Sequence, residues 1–298
     1  AVQYGAGVFR AHDRIRVRVA SSPYTHAMTK DNRSSEIYRV ENEVTPPDLP
    51  GRVTMRADAH DVHTVLAADL MIHANNCVRT FGDFHLALSG GSTPMPFYER
   101  LMVDPAFRAF PWKRTHIWIV DERCVPETDE RSNYRHISEI LVDHSDIPPA
   151  QVHPVRAQED GGAERYEREI RENLEWREPG HDRLDFVLLG MGDDGHTASL
   201  FPGSPALGAR DRLVVRNDGP TVTPPPRVTM TYTLINASRF IAVLGTGGKK
   251  APMLRRVAAQ KDEPSDLPIL GVRPIGGEGA GDIAWYLDRA ACAPDEQS

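Results

Sequence analysis

FHLALSGGSTP, residues 84–94, decides the architecture of this chain. Phe84 to Leu88 is an apolar run of strand length. Ser89-Gly90-Gly91-Ser92-Thr93 ends it in front of Pro94, a residue suited to the first turn of a helix. A buried strand that passes through a short turn into a helix is the unit of a parallel α/β sheet. The same order recurs at Ile117 to Val120 before Asp121-Glu122-Arg123, and at Phe186 to Leu189 before Gly190-Met191-Gly192-Asp193-Asp194-Gly195-His196. It recurs again at Phe240 to Leu244 before Gly245-Thr246-Gly247-Gly248-Lys249-Lys250. Helical patterns near 94–102, 132–142, 162–176 and 250–259 separate these runs. Val53 to Met55 and Ile283 to Leu287 add a first and a last strand. Val62, Leu66, Leu70, Ala74 and Val78 recur at helical spacing behind Asp58, a candidate N-cap. The predicted fold class is α/β, a doubly wound and mainly parallel sheet flanked by helices.

Residues 1–50 are polar, lack a sustained period and end in Pro46-Pro47-Asp48-Leu49-Pro50, so they read as an N-terminal extension and a candidate for poor order. Residues 51–292 form a single α/β catalytic domain in this reading, and 293–298 a tail. A formal charge of -7 argues against a duplex-binding surface, which needs concentrated Lys and Arg, but leaves room for a small anionic ligand. Cys77, Cys124 and Cys292 are odd in number and far apart, so neither a disulfide framework nor a CxxC metal site is expected and a reducing cytoplasm fits. The chain shows no leader pattern and no apolar stretch of roughly 18 to 20 residues, so no membrane anchor is expected.

In an open parallel sheet, ligands bind outside the carboxyl ends of the strands. The polar loops after the four apolar runs are therefore expected to share one crevice. Ser89 to Thr93 has the glycines and hydroxyls of a phosphate cradle at a helix amino end, and Arg123 and Lys250 are candidate cations for a dianion. His196 follows a glycine turn at a strand end. A neutral imidazole, with an ordinary pKa of about 6.5, is a competent base near neutral pH. Asp194 is placed to orient that ring or to hold it in one tautomer.

Gly190 to Gly195 also fits GxGxxG, but Pro202 and Gly203 cut the following segment short, and Arg210 or Asp211 stands where a dinucleotide site needs its acidic residue. GxSxG, HExxH and GxxxxGK[ST] are absent, so covalent serine and zinc mechanisms lack support. His60, His63, His73, His136, His144, His153 and His181 read as structural or surface residues.

LALSGGSTP (86–94), VDERCVP (120–126), LLGMGDDGHTASLFP (188–202), RVTMTYTLIN (227–236) and TGGKKAPMLRRV (246–257) resemble, in order, the motifs of 6-phosphogluconolactonases. The resemblance covers roughly residues 52–292. It implies hydrolysis of 6-phospho-D-glucono-1,5-lactone to 6-phosphogluconate, the second step of the oxidative pentose phosphate pathway, without a metal or organic cofactor. It also implies a fold like that of glucosamine-6-phosphate deaminases and ribose-5-phosphate isomerases.

On the same resemblance His196 matches the general base, Arg123 and Lys250 the phosphate-binding cations, and Ser89 to Thr93 the phosphate loop. Lys250 is preferred to Lys249 because it precedes Ala251. Of Asp121 and Glu122, one is expected to bind sugar hydroxyls or to anchor Arg123. The extension and the Gly-rich insertion Gly276 to Gly281 depart from the family pattern. An amino-sugar phosphate deaminase or isomerase is the alternative enzyme, although its usual AFNEP-like continuation is replaced by Ser199-Leu200-Phe201-Pro202. A catalytically silent sugar-phosphate-binding protein is the alternative outside enzymes.

Overall fold

A computed structural model describes residues 44–275 and 281–294; residues 1–43 of the expected extension 1–50, residues 276–280 of the Gly-rich insertion and residues 295–298 of the expected tail lie outside the described residues. The strands are β1 (Arg52–Arg56), β2 (Phe84–Leu88), β3 (Thr115–Ile119), β4 (Asp121–Arg123), β5 (Val152–His153), β6 (Phe186–Leu189), β7 (Val214–Asn217), β8 (Arg227–Met230), β9 (Phe240–Gly245) and β10 (Asp282–Asp288). Seven form one parallel sheet in the order β1-β10-β9-β6-β2-β3-β5. Every residue of β2, β6 and β9 is buried, as expected for central strands covered on both faces.

The helices are α1 (Ala59–Phe81), α2 (Met95–Val103), α3 (Asn133–Ile140), α4 (Gly162–Leu174), α5 (Tyr232–Ala237) and α6 (Ala251–Ala259). Asp58 caps α1 by accepting from the Asp61 backbone N–H, and Gly82 ends it in the left-handed region at φ 93°. Between these ends Val62, Leu66, Leu70 and Ala74 are fully buried; truncating Leu66 to Ala would cost about 2–5 kcal/mol. No helix among the described residues is long and apolar enough to cross a membrane.

Chain order sets the position of the site. From β2 the chain proceeds to β3 and β5 on one side, then returns to place β6, β9 and β10 on the other. The loops after β2 and β6 therefore leave adjacent strands in opposite directions and open a crevice between them, the switch point at which α/β sheets bind ligands.

One expectation needs correction. Asp121-Glu122-Arg123 is not a loop but strand β4 of a second, antiparallel sheet, β4-β8-β7, in which Arg123 pairs with Arg227. Helix α5 also went unanticipated. The GxGxxG segment leads into an isolated bridge between Thr197 and Leu200, with no α-helix before residue 232, in line with its rejection as a dinucleotide site.

Buried charge collects at the amino ends of the strands, opposite the crevice. Arg177 donates to both oxygens of Asp185 at 2.9 Å each and to Asp83 at 2.5 Å. Beside it Trp118 Nε1 donates to His85 Nδ1 at 3.0 Å, which places the proton of neutral His85 on Nε2, 3.3 Å from Asp83. His116 Nδ1 meets His153 Nε2 at 3.0 Å, and His153 Nδ1 meets Glu169 at 2.5 Å. Burial, with His85 and His153 alongside, pushes His116 down to about 3. Asp83, His85 and His116 lie close enough to hold a cation, but the Trp118 hydrogen bond selects the His85 tautomer whose Nε2 carries a proton and so cannot ligate.

Candidate active site at the switch point

The crevice is walled by the loops after β2 and β6, by Asp121 and Arg123 of β4, and by Asn133 at the start of α3. In the β2 loop Gly91 takes φ 91°, open to glycine but strained for other residues, and Gly90 is pressed so closely on Asn133 that a Cβ there would collide with it. The Ser89 hydroxyl is turned to the Leu188 carbonyl at 2.8 Å, while Tyr98 donates to the Ser89 carbonyl at 2.7 Å. Ser89 thus lines the crevice by its backbone and ties β2 to β6. Gly90 to Thr93 line the crevice beside it.

His196 lies on the opposite wall. Its Nδ1 is 2.5 Å from Asp194 Oδ1, which also accepts the His196 backbone N–H at 3.0 Å. Burial opposes ionisation of Asp194, but the hydrogen bonds from the ring and backbone of His196 prevail and hold its carboxyl below the usual carboxylate range. An ionised Asp194 keeps the proton on Nδ1 and leaves Nε2 as a lone-pair acceptor. Gly192 is required here, since a Cβ at that position would enter the His196 ring, and Phe201 packs on the ring with centroids 4.6 Å apart.

The paired acids of β4 divide cleanly. Asp121 lines the crevice, and its Oδ2 accepts from the Ser199 hydroxyl at 2.5 Å. Glu122 is 2% exposed and faces away from the crevice. Its carboxylate accepts from the backbone of Arg123, Asn133 and Tyr134 and from the Ser132 hydroxyl, all at 2.7–3.0 Å. Of the two expected roles, sugar binding or anchoring, its contacts are those of an anchor for α3 and the Arg123 backbone, away from the crevice where it was placed with the substrate-binding residues.

Arg123 reaches the Asn133 side chain and the Arg131 carbonyl, each at 2.7 Å. Lys250 does not line the crevice: its Nζ is held by Asp193 at 2.8 Å, and this hydrogen bond lowers the Asp193 pKa. Asp288 receives the Gly247 N–H at 3.0 Å and so steadies the loop that carries Lys250.

Two further residues were not flagged from sequence. Asn133 bridges the Asp121 carbonyl and Arg123, but an Asn at a helix start reads as an ordinary cap. Arg227, 7% exposed, becomes notable only through its register with Arg123. Burial and the neighbouring Arg123 charge lower its pKa, and among the described residues neither arginine pairs with a carboxylate. Like charges on paired strand positions repel, so a bound anion would relieve this pair.

Residues 57–285 match the family model described as glucosamine-6-phosphate isomerases/6-phosphogluconolactonase. The chain belongs to this family. Among its members, a 6-phosphogluconolactonase of Synechocystis sp. is 38% identical over 216 residues, 70% of this chain and 84% of the relative. The human GDH/6PGL endoplasmic bifunctional protein is 41% identical over 231 residues, 75% of this chain; the match spans only 28% of that longer protein. The crystal structure of a Thermotoga maritima 6-phosphogluconolactonase superposes with TM-score 0.65 at 31% identity, covering 80% of this chain and 99% of the other. The parallel sheet flanked by helices is thus the architecture of the family.

Proposed function

We propose that this chain is a 6-phosphogluconolactonase that hydrolyses 6-phospho-D-glucono-1,5-lactone to 6-phosphogluconate with His196 as general base. The observation that carries the proposal is an imidazole fixed by Asp194 at 2.5 Å on one wall of a crevice whose other wall holds a glycine-rich anion loop and Arg123. The substrate phosphate binds at Gly90 to Thr93 beside Arg123, with Arg227 paired to Arg123 on the neighbouring strand. Holding this remote group presents the lactone carbonyl to a water on His196 Nε2, so binding energy is converted into orientation.

Nε2 takes a proton from the water as its oxygen bonds to the carbonyl carbon. The tetrahedral adduct then collapses, the bond to the ring oxygen breaks, and the imidazolium returns the proton to that oxygen. Residues 51–292 are the proposed catalytic domain. A reducing cytoplasm is the proposed setting, consistent with free thiols at Cys77, Cys124 and Cys292.

Lactone opening followed by acid release, against an enzyme-free blank, tests the proposal: the chain should accelerate opening, and His196→Ala should lose kcat far more than affinity. A wild-type rate equal to the blank would sink it. The deaminase alternative is disfavoured because Ser199-Leu200-Phe201-Pro202 supplies no acidic side chain after His196 and Phe201 packs on its ring; turnover of glucosamine 6-phosphate would restore it.

A further inference from the structure

Ser199 stands three residues after His196, is 1% exposed, and is bound by every strand of the small sheet. Its hydroxyl donates to Asp121 of β4 at 2.5 Å and its backbone N–H to Thr229 of β8 at 3.1 Å. Its carbonyl accepts from Asn217 of β7 at 2.8 Å. Ala198, just before it, takes φ 50°, a left-handed backbone that a residue with a Cβ adopts only when its surroundings enforce it. The loop bearing the base is therefore latched onto the small sheet at one residue, by its hydroxyl and by both of its backbone groups. The far end of that latch is a carboxylate lining the crevice.

Asp121 Oδ1 takes no hydrogen bond among the described residues, whereas Oδ2 is held by Ser199. A carboxylate with one oxygen fixed and the other open to a ligand cleft suits a polyhydroxyl substrate, because each sugar hydroxyl can donate one hydrogen bond to it.

We propose that Ser199 is a positioning residue: it fixes the rotamer of Asp121 so that Oδ1 receives a hydroxyl of the sugar ring, and in the same contact holds the His196 loop in register with that ring. This inference rests on the proposed lactone hydrolysis. It adds that recognition of the hydroxyl face and placement of the base are a single mechanical unit, with the small antiparallel sheet as its frame.

A double-mutant cycle tests it, with lactone turnover measured for wild type, Asp121→Asn, Ser199→Ala and the double variant. Losing one charge-assisted hydrogen bond should lower kcat/KM roughly 10-fold in each single variant. If Ser199 acts through Asp121, the double variant is no worse than Asp121→Asn alone. Near-UV circular dichroism confirms that each variant is folded. If the alanine variant does not fold, Ser199→Cys, with its weak S–H donor and similar volume, takes its place.

Additive losses, roughly 100-fold in the double variant, would overturn the coupling, as would a Ser199→Ala enzyme of wild-type efficiency. Wild-type efficiency in Asp121→Asn would remove both the coupling and the substrate role of Asp121. A wild-type chain that leaves the lactone untouched would instead refute the proposed reaction.

Discussion

Asp194→Asn probes the base through its partner. The carboxylate contacts the ring at 2.5 Å, so in the transition state it faces an imidazolium. Unit charges centred about 4 Å apart attract by about 4 kcal/mol at an effective dielectric of about 20, and by about 1 kcal/mol in bulk water. The His196 side chain is 32% exposed and that of Asp194 49%, so solvent screening brings the value into the lower half of this range, about 2 kcal/mol. That corresponds to roughly 30-fold in kcat. KM should move less than about 3-fold, because the anion loop and Arg123 are untouched. Initial rates of acid release at fixed pH, extrapolated to saturating lactone and corrected for spontaneous opening, give both parameters. A variant with wild-type kcat, or one whose loss lies wholly in KM, would refute the reasoning.

Gly192→Ala drives a Cβ into the His196 ring and should lower kcat with little change in melting temperature; an unimpaired variant would show that the ring can relocate without loss. Arg123→Ala should chiefly raise KM, by about 10-fold or more for a lost charge-assisted contact, and steady-state kinetics showing a pure kcat defect would contradict a phosphate role. Arg177→Ala leaves Asp83 and Asp185 without their shared cation and should cost about 3–5 kcal/mol in urea unfolding; a midpoint near wild type would oppose this. For His116 the folded chain titrates near 3 and the unfolded chain near 6.5, so the unfolded state takes up the proton first. Its contribution to stability is complete above about pH 6.5 and declines as pH falls toward 3, so the unfolding midpoint should drop between pH 7 and 5; a flat or rising midpoint would contradict the assignment.

The parallel sheet was legible because its central strands are covered on both faces and therefore read as unbroken apolar runs: β2 and β6 fall on the expected residues. The small sheet was not, because Asp-Glu-Arg lacks any apolar signal and its strand character comes from pairing with Arg227-Val228-Thr229. The glycine-rich loop Ser89 to Thr93, Arg123, Asp121 and His196 do meet in one crevice. Glu122 could not be told apart from Asp121, since adjacent residues on a strand point to opposite faces and only the sheet shows which face is solvent. Lys250 was placed by its motif, and its engagement with Asp193, distant in sequence, is a matter of tertiary geometry.

All seven strands of the large sheet run the same way, so the protein has two unlike rims. One rim carries reactive loops and the other the Arg177–Asp185 clasp, with a full strand length of packed side chains between them. The proposed chemistry and the predicted stability of the clasp thereby fall at separate addresses. A protein engineer can vary the loops in search of new sugar acids while reinforcing the distant clasp, and each set of changes leaves the other largely undisturbed.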